Sequence, residues 1–428
     1  MLVAFALLGV AAQAQVLDRV EIEGPVSIPE GGQASYRCWA YFTDGQRLDV
    51  TQSATWEVDQ PQFGRFVQPG RFEAFQVNQD VLVTLCATFS LGGRTRSDDY
   101  LVQIENGSLL WNNGFNTGTG QGTPLSPPSF PNRRAADDIV VPSSGWLIEG
   151  MMYLVNADAG WQDGGTTEVF LYTDAATLPG TRLFSLFTGH LRLATGATYN
   201  GKPEYRYFTT GLKFALPEGR YWIGVRHPNA TGGGTAYWEA NLGAVEHPFA
   251  VSFNEGRTWQ RGPTGLDPVF QLRGTPLTVA TLESFAVTRG FHVSGGLPAL
   301  TNSDDAHLII GTVKQTSLST PVAQLEVQAS VGNSPVGHVV AVVEASVLLP
   351  PMLQRVEMFN FLQNRWVVVD ERLAATNDSR TPVIAPGRGE EYVHPLLRSV
   401  RLRVGFVDLG LSVATVHTRV DQVHISFG

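Results

Sequence analysis

The sequence predicts an all-β protein, and three observations carry this prediction. Glycine and proline are abundant, at 45 and 25 residues, and they recur between short apolar runs. That spacing is typical of chains that turn every eight to twelve residues or so. Charged residues make up only 16% of the chain, whereas about a quarter is usual. Long runs with apolar residues at i, i+3, i+4 and i+7, the pattern of an amphipathic helix, are absent.

The chain opens with a short apolar run, Leu2–Val10, followed by Ala12-Gln13-Ala14. Small residues spaced in this way are typical of a signal-peptidase site, although the usual positive residues before the run are missing. A buried N-terminal strand is the alternative interpretation. We predict that residues 1–14 are a signal peptide, cleaved after Ala14, and that the protein is secreted or held at the cell surface.

The first predicted module spans residues 16–105. Its turn Thr43-Asp44-Gly45-Gln46 lies between two alternating runs and predicts a hairpin, because glycine adopts positive φ without steric cost. The run from Tyr41 to Trp56, with Asp44-Gly45, Asp49-Val50-Thr51 and Ala54-Thr55-Trp56, resembles the bacterial immunoglobulin-like domains of secreted and surface proteins. The resemblance implies an immunoglobulin-like sandwich over this module.

The two cysteines of the chain, Cys38 and Cys86, both lie in strand-like runs of this module, with Trp56 between them. Immunoglobulin-type sandwiches show this order of residues around an inter-sheet disulfide, and disulfides persist in oxidising compartments. Bacterial immunoglobulin-like domains commonly lack cysteines, so the pairing follows from position and compartment. We predict a Cys38–Cys86 disulfide packed near Trp56.

A linker is predicted over residues 106–134. Asn112–Pro124 and the following Ser126-Pro127-Pro128-Ser129 carry little that could be buried. The spacing of Gly118, Gly120 and Gly122 invites a phosphate-loop interpretation, but the strand before and the helix after that such a loop needs are missing.

The second predicted module spans residues 135–275 and resembles, loosely, the jelly-roll-like sandwiches appended to many secreted bacterial proteins. Its strand candidates are Trp146–Leu154, Thr167–Thr173, Tyr205–Phe214, Arg220–Val225 and Pro268–Leu272. The run Ser252–Trp259 resembles an Asp-box with Asn254 in the aspartate position, which implies a hairpin and no active site, since one copy does not make a propeller.

The third predicted module spans residues 276–428. Along its run Ser399–Val407, apolar residues alternate with Arg401 and Arg403, so the apolar side chains share one face of a strand. Its opening, around Thr288-Arg289-Gly290 and Ser303-Asp304-Asp305, resembles an uncharacterised C-terminal module of large secreted proteins. The chain is therefore predicted to hold three β-sandwich modules in series.

Charge and motifs exclude several functions. The net charge is −9 without a basic cluster, so no nucleic-acid partner is expected. The run Leu2–Val10 is too short to span a membrane, and no longer apolar segment follows it. Neither G-x-S-x-G nor H-E-x-x-H occurs. Adjacent carboxylates such as Asp98-Asp99 point to opposite faces of a strand and do not form a glycosidase pair. We expect no enzyme, although a glycosidase assembled from distant residues stays open.

Calcium is the cofactor that the sequence leaves open. Asn156, Asp158 and Asp163 surround Gly160 in an oxygen-rich loop, as calcium ligands do, but Thr167 stands where an EF-hand has glutamate. Solvated turns are the alternative interpretation of such residues. We keep these three residues as candidate calcium ligands.

Aromatic residues are concentrated in the second module, and aromatic rings stack on sugars. Trp161 lies in a glycine-flanked loop and Trp238 follows the Gly232-Gly233-Gly234 stretch, so both are candidate ligand-binding residues. The alternative interpretation is that the aromatics form the sandwich core, where Trp222 is expected.

The favoured function is therefore a secreted, non-catalytic surface-structural, matrix or adhesive protein. A carbohydrate-binding protein that uses the second module is the alternative. An extracellular glycan or a surface protein would be its partner, and exposed edge strands could pair between copies of the chain.

Overall fold

The computed structural model describes residues 16–75, 77, 80–114, 123–124, 132–242, 247–263, 265–317, 319–348, 351–409 and 416–428. The predicted signal peptide lies outside these residues, as do residues 115–122 and 125–131 of the predicted linker. Within them the regular structure is strand and two short 3₁₀ turns, and the all-β prediction is confirmed. The chain divides into two compact units, Met1–Ser108 and Leu109–Gly428.

The first unit is built from antiparallel sheets with one parallel pair. Its described strands are β1 (Leu17–Glu23), β2 (Ser27–Pro29), β3 (Gln33–Ser35), β4 (Arg37–Phe42), β5 (Arg47–Asp49), β6 (Thr55–Val58), β7 (Gly64–Gln68), β8 (Arg71–Ala74), β9 (Val81–Leu91) and β10 (Arg94–Glu105). They form sheets in the orders β1-β4-β5, β2-β10-β9-β6 and β3-β8-β7, with β2 and β10 parallel. Gly45 has φ +84° in the predicted hairpin between β4 and β5, which is confirmed.

The predicted disulfide is wrong, because Cys38 and Cys86 are both free thiols. Cys38 faces the core on β4, where buried and less buried residues alternate. On β9 the buried positions are Val83, Leu85 and Ala87, so Cys86 points to the opposite face of its strand. Alternation along a strand fixes this parity, and both sulfur atoms would have to face the interior to bond. Trp56 packs against the core without a disulfide beside it.

The first part of the second unit consists of a thirteen-stranded sheet and two small two-stranded sheets. Its strands are β11 (Ser108–Asn112), β12 (Thr123–Pro124), β13 (Arg134–Val141), β14 (Trp146–Ala157), β15 (Trp161–Gln162), β16 (Thr166–Asp174), β17 (Pro179–Tyr199), β18 (Lys202–Thr210), β19 (Phe214–Leu216), β20 (Gly219–Arg226), β21 (Thr231–Gly232), β22 (Ala236–Trp238), β23 (Ala240–Leu242), β24 (Ala250–Ser252), β25 (Gln260–Arg261), β26 (Leu266–Pro268) and β27 (Phe270–Pro276).

The main path of that sheet is β11-β27-β14-β18-β17-β16-β20-β13-β24-β25, and its rings and aliphatic side chains fill one large core and smaller ones beside it. Trp222 is fully buried on β20, as predicted. The Asp-box-like run closes the hairpin of β24 and β25, with the Ser252 hydroxyl accepting from the Gly256 N–H at 2.8 Å. That turn is structural, as expected.

The rest of the second unit is a sandwich of two sheets. Its strands are β28 (Thr278–Val279), β29 (Thr281–Arg289), β30 (Phe291–Ser294), β31 (Leu308–Gly311), β32 (Ala323–Ser330), β33 (Val339–Val347), β34 (Met352–Asn360), β35 (Arg365–Leu373), β36 (Ser379–Ile384), β37 (Ser399–Asp408) and β38 (His417–Phe427), with 3₁₀ turns at Leu297–Leu300 and Gly389–Tyr392. One sheet runs β30-β31-β38-β33-β36 with β28 beside β38, and the other runs β29-β32-β37-β34-β35.

The alternation predicted for β37 is confirmed, because Val400, Leu402, Val404 and Phe406 are all fully buried. The two halves of the second unit meet at a small apolar cluster that includes Leu147, Ala215, Leu277 and Val340. The three largest cores fall within the three predicted modules, whose boundaries stay predictions, as does the immunoglobulin-like assignment. Among the described residues no helix is long and apolar enough to cross a membrane.

Candidate functional site

The tryptophans predicted to bind a ligand are core residues, so the exposed loop positions expected for them are wrong. Trp238 is fully buried on β22, where its indole Nε1–H donates to the Val269 carbonyl at 3.0 Å. Trp161 is only 4% exposed and packs edge-on against His227, with 5.3 Å between the ring centroids. The glycines near these tryptophans lie in turns, and the turns do not expose the rings to solvent.

Trp161 packs beside a buried polar network inside the second module. The Thr167 hydroxyl lies 2.7 Å from Tyr153 Oη and 2.8 Å from His190 Nδ1. His190 Nε2 in turn lies 3.3 Å from Asp163 Oδ1. An Asp-His-Thr sequence of contacts has the order of a nucleophilic triad. Here, however, Thr167 is fully buried and its hydroxyl is already bonded to Tyr153, so no substrate reaches it.

Burial also fixes the charges in this network. It lowers the pKa of His227 to about 3, with the charge of His190 acting in the same direction, so that the ring is neutral at ordinary pH. Burial works to raise the pKa of Asp163, but His190 and hydrogen bonds from Gly165 and Tyr207 outweigh it and hold the pKa well below its usual value. The hydrogen bonds and charges of this network therefore hold the buried side chains in fixed positions.

The three candidate calcium ligands have different surroundings. Asn156 is buried on β14. Asp158 forms an ion pair with Lys202 and accepts from the Thr235 N–H. Asp163 accepts from Tyr207 and lies 3.3 Å from Arg192. Because each carboxylate already has cationic and N–H or O–H partners, the geometry does not favour calcium there, which stays a prediction.

The site that the structure does form is an open cleft between the two halves of the second unit, which we call the two-sandwich cleft. Its volume is about 760 Å³. The walls come from the ends of β16, β17, β19 and β20 on one side and from β35 and β36 on the other. The apolar cluster around Ala215 holds these walls together, since Ala215 lies both in that cluster and in the cleft.

Three arginines line the two-sandwich cleft. Arg220 pairs with the buried carboxylate of Asp138. Arg372 donates two hydrogen bonds to Asp370, at 2.7 and 2.6 Å, and a third to the Thr381 hydroxyl at 2.9 Å. Arg380 donates to the Gln422 amide oxygen at 3.1 Å. These contacts position the guanidinium groups at the cleft wall.

Carboxyl and apolar groups complete the lining. Asp174 accepts from the indole Nε1–H of Trp222 at 2.8 Å, and Asp378 accepts from Ser346 at 2.8 Å. Phe184 is half-buried and packs edge-on against Phe214 at 4.8 Å. Sequence reasoning missed this site, because its residues come from six strands and no local motif marks their meeting.

Comparisons with known proteins find only weak structural likenesses. No protein-family model matches the chain, and no curated protein matches it either. The solved structures that it resembles include the M60 catalytic domain with two carbohydrate-binding modules from Clostridium perfringens ZmpB, at 9% identity, TM-score 0.18 and 92% of this chain. The chain spans 48% of that structure.

Two further structures have similar scores. The tandem of family 22 carbohydrate-binding modules from Paenibacillus barcinonensis Xyn10C shows 11% identity and a TM-score of 0.23, covering 75% of this chain and 98% of its own. Allantoicase from Saccharomyces cerevisiae shows 10% identity and a TM-score of 0.22, covering 68% of this chain and 77% of its own. Likenesses this weak carry no inference about ligand or activity.

Proposed function

We propose that this chain is an exported, non-catalytic protein that binds acidic carbohydrate in the two-sandwich cleft. The observation that carries the proposal is the meeting of three arginines in one open cleft of about 760 Å³. Sites for small ligands span about 300–1,000 Å³, so the cleft is large enough for a short oligosaccharide. The leader-like residues 1–14 support export.

The arginines favour an anionic ligand. A guanidinium group carries five N–H donors in a planar fork that fits a carboxylate. Arg372 directs three hydrogen bonds at its described partners and keeps 44% of its side chain exposed, so donors remain for a ligand. Arg380 is 36% exposed. Uronate carboxylates and sugar sulfates have the charge and the planar or branched oxygens that these groups bind.

Apolar and hydroxyl groups favour a sugar over a simple anion. Leu183 is 47% exposed at the cleft, and Phe184 and Tyr221 lie beside it. Thr173, Thr181 and Ser379 add hydroxyl groups to the lining. Sugar rings present apolar C–H faces and hydroxyl edges, which this mixture of side chains can contact together.

The carboxylates of the cleft support binding without catalysis. Asp174 is held by Trp222, and Asp378 accepts from Ser346 and lies 2.9 Å from His307. A glycosidase needs one carboxyl that stays protonated and one that stays free as base or nucleophile. Hydrogen-bonding partners lower the pKa of Asp378 despite its burial, which is the opposite of what a general acid requires.

An array of neutral and acidic glycans tests the proposal, with the mature chain and two variants. Arg372→Gln removes a guanidinium from the cleft, and Arg365→Gln removes one from the same strand, β35, outside it. We expect binding to uronate or sulfated glycans that falls about tenfold in Arg372→Gln and is unchanged in Arg365→Gln. Binding confined to neutral glycans, or equal losses in both variants, would contradict the proposal.

A surface-structural, matrix or adhesive role would be compatible with glycan binding and stays a prediction, as does self-association through edge strands. Purified chain in gel filtration with multi-angle light scattering would report such association directly.

A further inference from the structure

Three side chains meet beside the six-stranded sheet in the C-terminal sandwich, and a fourth, Asp421, lies near them. We call them the carboxylate–histidine cluster: Asp305, His307, Asp378 and Asp421. One ligand atom each of Asp305, His307 and Asp378 lies within 4.8 Å of the other two. His307 Nε2 is 2.9 Å from Asp378 Oδ2, and the Ser346 hydroxyl donates to Asp378 Oδ1 at 2.8 Å.

Strand pairing explains why these residues meet. Leu308 pairs with Val420, so His307 and Asp421, one residue further along each strand, lie at the same level of β31 and β38. Asp378 immediately precedes β36, which is joined to β38 through β33. The cluster thus draws on neighbouring strands of one rigid sheet.

Asp421 sits at a β-bulge, and this is the independent observation that points to a ligand. On β33, Glu344 pairs with Gln422 and Ala345 with Val420, so Asp421 is the extra residue between them. Bulges re-aim a side chain and occur next to functional sites. Asp421 is only 1% exposed, and among the described residues its Oδ1 has no hydrogen-bond partner. A buried carboxylate oxygen without a partner is costly unless a cation or a proton reaches it.

Asp421 lies within electrostatic range of His307 and Asp378. Burial raises the pKa of Asp421, while the charge of His307 and the main-chain N–H groups of Asp304 and Asp305 lower it. Asp378 in turn lies within electrostatic range of Arg419. Asp305 has φ +62°, a left-handed conformation that is uncommon for a residue other than glycine and is often found where a side chain must be aimed.

We propose that the carboxylate–histidine cluster binds one divalent transition-metal ion. An imidazole nitrogen together with carboxylate oxygens suits Zn²⁺ or Mn²⁺, whereas Ca²⁺ and Mg²⁺ favour oxygen ligands alone. On binding, the metal takes the place of the His307–Asp378 contact, with His307 neutral and its Nε2 lone pair donated to the ion. Zinc ligands lie about 2.0–2.2 Å from the metal, so the ligand atoms of a tetrahedral site lie about 3.4 Å apart. The His307–Asp378 pair must therefore open slightly from 2.9 Å, and ligand atoms up to 4.8 Å apart must move closer together.

Metal titration of the full chain tests this site. The protein is treated with EDTA and dialysed, and Zn²⁺, Mn²⁺, Co²⁺ and Ca²⁺ are titrated separately by calorimetry. We expect one Zn²⁺ per chain, visible absorption bands on Co²⁺ binding, and a Tm that rises with Zn²⁺. His307→Gln should weaken Zn²⁺ binding at least tenfold and abolish the Co²⁺ bands.

Two further variants make the test specific. His292→Gln removes an exposed histidine from β30 of the same sandwich and should leave Zn²⁺ binding unchanged. Asp421→Asn should weaken it about tenfold, and it keeps the test decisive if His307→Gln does not fold. No Zn²⁺ binding, binding of Ca²⁺ in preference to Zn²⁺, or equal losses in His292→Gln and His307→Gln would overturn the proposal and leave a structural hydrogen-bond cluster only. These readouts are independent of the glycan array.

Discussion

The buried histidine at the centre of the second module should make stability depend on pH in a defined way. Burial lowers the pKa of His227 from 6.5 to about 3, and His190 and Arg192 act in the same direction while Asp163 opposes them. The unfolded chain binds a proton at His227 below about pH 6.5, whereas the folded chain does not. The stability that the neutral ring contributes is therefore complete above pH 6.5 and is lost as the pH falls towards 3.

The size of the effect follows from linkage. One pKa unit corresponds to about 1.4 kcal/mol, so the loss from this one group is about 2 kcal/mol between pH 7 and pH 5 and approaches about 5 kcal/mol near pH 3. Carboxylates elsewhere also titrate in the lower part of this range, so the informative quantity is the difference between the wild type and a variant without the imidazole. Urea unfolding at a series of pH values gives both free energies.

His227→Gln is the informative variant, and His292→Gln, which removes an exposed histidine, is its control. The variant should lose stability overall, because the ring packs among Tyr153, Tyr207 and Trp161, but its free energy of unfolding should fall less steeply between pH 7 and pH 5. The control should keep the wild-type slope. Parallel slopes for the wild type and His227→Gln would refute the reasoning that His227 is held neutral by burial.

Three other predictions have defined outcomes. Trp238→Ala should cost about 3–5 kcal/mol in urea unfolding, because the indole is fully buried and bonded, and Trp161→Ala should cost a similar amount; wild-type melting temperatures in either variant would contradict their place in the core. Thiol labelling in denaturant should find two free thiols per chain, whereas Cys38 should be protected from labelling in the folded protein. A result of no labelled thiol in denaturant would support the disulfide instead. Burial and neighbouring carboxylates raise the pKa of Asp137. Asp137→Asn should therefore raise Tm at pH 8 and lose this advantage at low pH, where the wild-type carboxyl is protonated. A lower Tm of the variant at both pH values would count against the raised pKa.

Much of the fold could be predicted from the sequence, because strands can be recognised from patterns among neighbouring residues. Alternation in the run Ser399–Val407 placed its apolar face correctly, and Asp44-Gly45 marked a hairpin that forms. Trp222 was assigned to the core from its neighbours in an apolar run, and it is buried. These signals depend on a few adjacent residues and on a period of two.

The candidate site could not be predicted, because it depends on which strands become neighbours. Parity alone could have warned against the disulfide: counted along β9, Cys86 lies on the face opposite to Leu85 and Ala87. Trp161 looked exposed because glycines flank it, yet those glycines serve the turn that folds the ring onto His227. Arg220 is more than a hundred residues from Arg372 and Arg380 along the chain, so only the tertiary structure brings the three arginines into one cleft.

Crystals of the mature chain grown with an oligogalacturonate test the central claim most directly. The two-sandwich cleft should then hold sugar density, with a uronate carboxylate within about 3 Å of the Arg372 or Arg380 guanidinium. The cleft of an Arg372→Gln crystal grown under the same conditions should be empty or weakly occupied. Sugar bound only on another surface, with an empty cleft in the wild type, would contradict the account.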